Sequence, residues 1–243
     1  MSEQLCAARI PSLPDTAYYI PNFISPEEEE QLVQKVYAVP RPRWTQLSRR
    51  RLQTWPSALS KTDTLLDAPL PSWLERPVVP RLKALGCFAA APHGAPNHVL
   101  INEYEPGQGI MPHEDGPAYY PIVATVSLRA PIVLDIYEKR RLDDQSSSPA
   151  RDNEPAFRIL QEPRSLLITT DRLYTDYLHG IAERTTDEDL SSDAICNWDL
   201  LGDREEYMQA KSYTRQTRVS LTYRDVLKVA KVGNSIKFLA AKR

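Results

Sequence analysis

Apolar and polar positions divide the chain into a helical first part, residues 1–96, and a remainder rich in strands. Ser25 and Glu28 have the spacing of a capping box, and the apolar residues after them recur with helical period. Ser72 and Glu75 repeat the capping-box spacing. Prolines interrupt this part repeatedly, so we expect it to form several short helices.

From about residue 97 onwards, apolar positions alternate with polar ones over short stretches. This alternation predicts strands at 97–104, 122–128, 131–137, 165–169 and 218–224. Several short strands with little helix between them favour a closed or two-sheet β architecture. We therefore predict a mainly β protein with N-terminal helices and a jelly-roll core.

Two polar insertions, at 139–156 and 183–213, interrupt the strand pattern. Residues 183–206 carry nine acids and two arginines, a local charge of −7. We expect both insertions to be exposed, mobile loops. The predicted organisation is thus an N-terminal extension at 1–96, a β domain at 97–230 containing both insertions, and a basic tail at 231–243.

Composition and charge narrow the class of protein. The chain has 243 residues and a net charge of −2, so a wholly basic nucleic-acid coat is excluded. No run of about 18 apolar residues occurs, and the N-terminus does not have the pattern of a secretory signal. Three widely separated cysteines favour a reducing compartment. We expect the cytoplasm and nucleus, with no membrane partner.

A candidate metal site begins with His113 and Asp115. Residues two apart in an extended segment point the same way, so both side chains can approach one metal ion. His179, at a predicted strand end, can complete a set of two histidines and one carboxylate, which suits non-haem Fe(II). A zinc hydrolase could use the same ligands, and a hydrogen-bonded turn histidine also accounts for the pair. His93 and His98 have no carboxylate at matching spacing and are interpreted as structural.

A second candidate site lies on the predicted strand at 218–224. One face of this strand presents Arg218, Ser220, Thr222 and Arg224. If that face lines a barrel interior, its guanidinium groups need partners, and a small dicarboxylate would satisfy both. A half-exposed strand with its polar face in water is the alternative. Asn102 and Tyr104 also share one strand face and can donate hydrogen bonds to a carboxylate.

The order of these motifs resembles one known enzyme family. Asn-x-Tyr-x-Pro-Gly at 102–107 is followed by His-x-Asp at 113–115, His-Gly-Ile at 179–181 and Arg-x5-Arg at 218–224. This arrangement is similar to that of the AlkB family of Fe(II)/2-oxoglutarate dioxygenases. The resemblance implies a double-stranded β-helix, which is a jelly roll, with N-terminal helices packed on it.

The resemblance also implies roles for individual residues. Fe(II) would be held by His113, Asp115 and His179, and the co-substrate 2-oxoglutarate by Asn102, Tyr104, Arg218, Ser220 and Arg224. No catalytic residue beyond the metal ligands is implied. The family reaction oxidises 2-oxoglutarate to succinate and CO2 and hydroxylates a substrate C–H bond. A hydroxylated N-methyl group then leaves as formaldehyde.

The substrate is predicted from the N-terminal part. Residues 41–51 hold five arginines and no acid, in the region where the family builds its substrate lid. The candidate contacts to phosphates and bases are Arg43, Trp44, Arg49, Arg50 and Arg51. A solvated basic face is the alternative. Pro117 occupies the position where the bacterial repair enzyme has an acid that reads the alkylated base, so the resemblance does not carry that route of recognition over to this chain.

The predicted function is therefore oxidative demethylation of alkylated nucleic acid, either RNA or single-stranded DNA. Two alternatives remain open at this point. One keeps the chemistry but acts on a protein side chain, and the other is a nucleic-acid or protein binding module with little turnover. The sequence predicts neither the oligomeric state nor any regulatory partner.

Overall fold

The computed structural model describes residues 2–13, 17–139 and 154–231. The helices are α1 Glu3–Ala7, α2 Pro26–Ala38, α3 Ser72–Glu75, α4 Val78–Leu85, α5 Asp171–Thr175 and α6 Arg204–Ala210. The strands are β1 Ala17–Ile20, β2 Thr45–Gln46, β3 Arg51–Trp55, β4 Thr64–Leu66, β5 His98–Tyr104, β6 Ile110–His113, β7 Tyr119–Leu128, β8 Ile132–Glu138, β9 Phe157–Gln161, β10 Leu166–Thr170, β11 Tyr177–Ile181, β12 Thr186–Asp187, β13 Tyr213–Thr214, β14 Arg218–Val226 and β15 Lys228–Ala230. None of the described helices is both long and apolar enough to cross a membrane.

Two antiparallel sheets form the body of the protein. The larger sheet has the strand order β1-β10-β7-β14-β5-β3-β2, and the smaller sheet has the order β6-β11-β8-β9. Apart from β2–β3 and β8–β9, neighbouring strands in both orders are not consecutive in sequence, as the crossing connections of a jelly roll require. The prediction of a mainly β protein with N-terminal helices and a jelly-roll core is confirmed.

The two faces of the larger sheet have different neighbours. On the outer face, apolar residues such as Val99, Ile101 and Leu221 form one buried cluster with Leu32 of α2 and Leu82 of α4. The alternate residues of the same strands point to the inner face and line a cavity between the sheets. The helices therefore cover one side of the sheet and leave the other side free for a site.

Residues 1–96 are not only helical, which corrects the expectation for this part. β1, β2 and β3 all join the larger sheet, and β3 pairs directly with β5. The capping box at Ser25 is confirmed, with Glu28 completing it. The one expected at Ser72 is wrong, because Pro71 takes the cap position and Ser72 is the first residue of α3.

The insertion at 183–213 is also different from the expected mobile loop. It contains β12, α6 and β13, and its apolar side chains are buried against the smaller sheet. Those buried side chains belong to Leu190, Ile195, Trp198, Leu201 and Tyr207. The other insertion and the basic tail fall largely on residues 140–153 and 232–243, which lie outside the described residues.

Candidate active site

The three candidate metal ligands meet at one edge of the smaller sheet. His113 ends β6 and His179 lies on β11, and the two residues face each other in register with ring centroids 4.4 Å apart. Asp115 follows β6, and one ligand atom from each of the three side chains lies within 4.8 Å of the others. Two imidazoles and one carboxylate are the donor set that suits a non-haem Fe(II) ion.

Glycines allow the two histidine strands to approach this closely. A Cβ at Gly180, beside His179, would lie 3.0 Å from the backbone nitrogen of Pro112 in β6. At Gly109, just before β6, a Cβ would lie only 2.2 Å from the carbonyl oxygen of Ile181 in β11. A side chain at either position would push the strands apart, so the glycines belong to the geometry of the metal site.

The protonation of the two imidazoles also suits a metal. Nδ1 of His113 lies 2.9 Å from the Met111 carbonyl oxygen. Because a carbonyl only accepts, Nδ1 donates this bond, and Nε2 is the ring nitrogen available to a metal ion. Burial lowers the pKa of His179 to about 4, so this ring is neutral near pH 7. Neutral imidazole is the form that binds metal ions.

The cavity between the sheets, of about 260 Å³, brings both candidate sites together. The three metal candidates line it, and so do Asn102, Tyr104, Arg218, Ser220 and Arg224. The register of β14 against β5 explains this grouping, because Arg218 pairs with Tyr104 and Ser220 with Asn102. The alternative of a strand with its polar face in water is excluded, since both arginines are buried.

Arg218 is a buried cation that no carboxylate neutralises within the described residues. Its side chain donates to Ser127 Oγ at 2.9 Å and to Gln161 Oε1 at 3.2 Å, while its Nε has no partner. Burial lowers the pKa of Arg218 to about 10, which still leaves it charged at neutral pH. A buried charge with neutral partners is costly, so this end of the cavity suits a ligand carboxylate.

Arg224, in contrast, already has a partner among the metal candidates. It forms a buried ion pair with Asp115, and its guanidinium lies 4.8 Å from the centroid of the Tyr119 ring. Arg224 therefore orients the carboxylate that faces the metal position. Its direct contact with the co-substrate stays a prediction.

The five candidate substrate residues lie in different surroundings. Only Arg50 among them lines the cavity, where its Nε donates to Asn102 Oδ1 at 3.2 Å. Arg49 forms an exposed ion pair with Glu183 at 3.2 Å. Arg50 therefore lies at the cavity that holds the candidate metal ligands, whereas Arg49 does not line this cavity.

The remaining three candidates make contacts within the fold. Arg51 pairs with the buried Glu103 at 2.5 Å and stacks over Trp44, 4.2 Å from the ring centroid. Arg43 stacks over Trp55 at 4.0 Å. These contacts give the three residues a structural role. A role in substrate binding stays a prediction for all three.

Ser127 and Gln161 are site residues that sequence reasoning missed. Both are neutral polar residues. Ser127 lies in β7 and Gln161 ends β9, and nothing in the local sequence pattern distinguishes either from an ordinary strand residue. Their significance comes from β7 and β9 meeting around Arg218, which only the tertiary structure shows.

Comparison with known sequences shows similarity over most of the chain. A sequence model described as the 2OG-Fe(II) oxygenase superfamily matches residues 16–224. The zebrafish (Danio rerio) protein named probable RNA/DNA demethylase ALKBH6 is 42% identical over 220 residues, covering 90% of this chain and 89% of the relative. This match confirms the similarity predicted from the motifs, which resemble those of the sixth AlkB homologue in particular.

Comparison with solved structures shows the same fold. OsALKBH1 superposes with a TM-score of 0.50 at 12% identity, covering 88% of this chain and 98% of the other. An oxidoreductase of the 2OG-Fe(II) oxygenase family from Burkholderia pseudomallei has a TM-score of 0.51 at 10% identity, covering 88% of each chain. At such low identity these likenesses concern the fold alone.

Proposed function

Because the chain belongs to the 2OG-Fe(II) oxygenase superfamily and, within it, to the AlkB family, we propose that it oxidatively demethylates alkylated nucleic acid, either RNA or single-stranded DNA. It is an Fe(II)- and 2-oxoglutarate-dependent dioxygenase, and therefore an oxidoreductase. We propose the cytoplasm and nucleus as its compartments, since RNA is present in both.

One observation carries the assignment of this site. A set of two histidines and one aspartate shares a cavity with Arg218, a buried guanidinium that no carboxylate neutralises within the described residues. A zinc hydrolase would have no use for such a cation, whereas a dicarboxylic co-substrate would neutralise it. The donor set fits Fe(II). The Arg218 guanidinium, which has no carboxylate partner within the described residues, fits 2-oxoglutarate.

Different residues of the cavity would bind the metal ion and the co-substrate. His113, Asp115 and His179 would hold the iron, which supplies oxidation of a substrate C–H bond by O2 while 2-oxoglutarate becomes succinate and CO2. Arg218 would bind the distal carboxylate, with Ser127 and Gln161 fixing the orientation of its guanidinium.

Two further features of the cavity support this binding mode. Burial raises the pKa of Tyr104, which keeps its hydroxyl protonated and able to donate to a carboxylate. The apolar side chains of Val123, Leu134 and Ile136 line the same cavity and limit access of water to the reacting atoms.

The nucleic-acid substrate is supported by the zebrafish relative and by Arg50. That relative is named a probable RNA/DNA demethylase. Arg50 lines the cavity and forms no ion pair within the described part of the chain, so its guanidinium is available to a phosphate. Phosphate contacts fix the position of a nucleotide and tolerate many base sequences.

The test is a substrate panel with the full-length chain, Fe(II), 2-oxoglutarate and O2. Methylated RNA, methylated single-stranded DNA and methylated peptides are compared with their unmethylated counterparts, and succinate and formaldehyde are both measured. We expect methylated oligonucleotides to stimulate both products, and His179→Ala to abolish them.

Other results of this substrate panel would support one of the two alternative functions. Stimulation by peptides alone would make the protein a side-chain hydroxylase or demethylase. Failure of the folded chain to form succinate under any condition would favour a binding module. In the nucleic-acid case, Arg50→Ala is expected to weaken oligonucleotide binding and to flatten its salt dependence.

A further inference from the structure

Arg215 is a buried arginine outside the cavity. Its Nε and one terminal nitrogen donate to the two carboxylate oxygens of Asp187, at 2.8 and 2.7 Å. The two side chains are 2% and 1% exposed. This bidentate pair joins the segment before β14 to the insertion at 183–213.

The same guanidinium also contacts the backbone next to the two strands that carry the candidate ligand histidines. Its other terminal nitrogen donates to the Ala182 carbonyl oxygen at 2.7 Å and lies 3.5 Å from the Gln108 carbonyl oxygen. Ala182 directly follows β11, which carries His179. Gln108 lies two residues before β6, which ends at His113. A single side chain therefore bridges the ends of both histidine strands.

The backbones next to this bridge lie close together. A Cβ at Gly109 would lie 2.2 Å from the Ile181 carbonyl oxygen, so no side chain can separate the two backbones there. The register between β6 and β11 also shifts between His179 and Ile181. Regular strand pairing is interrupted at this point, and just beyond it the Arg215 guanidinium bonds the carbonyl oxygens of Ala182 and Gln108.

We propose that Arg215 is a positioning residue for the metal centre, a role that rests on the proposed function. It holds β6 and β11 in the antiparallel pairing that brings His113 and His179 together. Metal sites require ligand distances within about 0.2 Å of their ideal values, so a small shift of either strand weakens binding. Groups that orient metal ligands typically change metal affinity about 10- to 100-fold when they are removed.

Three variants of the full-length chain separate positioning from stability. Arg215→Met removes the bridge and leaves Asp187 buried without its partner. Arg215→Met combined with Asp187→Leu removes both charges, which restores stability in buried pairs of this kind. Arg204→Met is the control, because Arg204 belongs to the same insertion, pairs with the exposed Asp199 at 3.2 Å and has no bond to either strand end within the described residues.

The measurement is Mn(II) binding by calorimetry in the absence of O2, with 2-oxoglutarate present. We expect Arg215→Met to lower the Mn(II) affinity about 10- to 100-fold. The double variant should regain thermal stability while its affinity stays low, because the bonds to Ala182 and Gln108 are still absent. Arg204→Met should bind within threefold of the wild type. The absorption spectrum of bound Co(II) should change in the two Arg215 variants only.

The outcomes distinguish this role from the proposed function. A stable double variant that binds Mn(II) like the wild type would overturn the role of Arg215 and leave the proposed function intact. A folded wild-type chain that binds no Mn(II) would overturn the proposed function itself. If Arg215→Met does not fold, the double variant and Arg215→Lys, which keeps a charge opposite Asp187, provide the same comparison.

Discussion

Arg218 and Arg224 lie on the same face of β14, six residues apart, but their surroundings give them different roles. Asp115 neutralises Arg224 in a buried ion pair. Arg218 has only the neutral oxygens of Ser127 and Gln161. Because a buried charge needs compensation, the residue without a charged partner is the one expected to bind an anionic ligand.

The substitution Arg218→Met is expected to weaken 2-oxoglutarate binding by about 2–5 kcal/mol, the usual cost of removing one member of a buried charge pair. Calorimetric titration with Mn(II) present measures the effect. The ligand-free variant should be at least as stable as the wild type, since an unpaired buried charge has been removed. Arg204→Met, in an exposed ion pair with Asp199, is the control. An unchanged dissociation constant would place the ligand carboxylate elsewhere.

His98 predicts a dependence of stability on pH. Burial lowers its pKa to about 4, below the value of about 6.5 in the unfolded chain. The unfolded state therefore binds the proton more tightly between these values. The stabilising contribution is complete above pH 6.5 and is lost as the pH falls towards 4.

This contribution amounts to about 3 kcal/mol over the whole range, at about 1.4 kcal/mol per pKa unit. Urea unfolding at pH 7.5, 5.5 and 4.5 measures it. The variant His98→Leu should lose less stability on acidification than the wild type. Equal losses in both proteins would show that His98 titrates normally in the folded state.

At the level of the elements, Ser25 and Ser72 show how one sequence pattern has two outcomes. Both begin a Ser-x-x-Glu motif. Ser25 has an extended backbone before α2, and its hydroxyl accepts from the Glu28 backbone at 3.2 Å. Ser72 lies inside the first turn of α3, because Pro71 precedes it in the cap position. The chain direction before the helix decides whether the motif caps it.

Ser25→Ala is therefore expected to lower the free energy of unfolding by about 1 kcal/mol, the usual value of a helix cap. Ser72→Ala, the matched control, should change it by no more than a few tenths of a kcal/mol, because its hydroxyl forms no capping bond. Chemical denaturation of both variants provides the comparison. Equal effects would contradict the assignment of the caps.

For the whole molecule, the insertion at 183–213 completes the smaller sheet. Backbone N–H of Cys196 donates to the Arg158 carbonyl at 2.9 Å, and the Asn197 side chain bonds both backbone groups of Leu160. These contacts cover the open edge of β9, which would otherwise present unpaired backbone groups. The acidic residues thus belong to a segment that is part of the fold.

Trp198→Ala tests this arrangement. Trp198 is 8% exposed within the core of the smaller sheet, and its truncation is expected to cost about 3–5 kcal/mol of unfolding free energy. Met208→Ala, at an exposed position of the same insertion, should change it by no more than about 0.5 kcal/mol. If both substitutions changed the free energy of unfolding by similarly small amounts, the insertion would be a mobile loop and not part of the core.

Features that depend on residues close together in the chain could be predicted from the sequence. Alternation predicted β7 and β14 because one face of each strand is buried in apolar contacts, and the spacing of His113 and Asp115 predicted a shared metal. The motif order indicated the family. All of these signals lie within a few residues, or in the order of such groups along the chain.

Contacts between residues far apart in the chain became visible only in the three-dimensional fold. It paired β3 with β5, placed Ser127 and Gln161 on Arg218, and joined Arg215 to the ends of both histidine strands. It also buried the apolar side chains of an insertion whose acidic composition predicted a loop. Local periodicity shows which face of a strand is apolar, but the partner of a buried charge depends on the register between strands far apart in sequence.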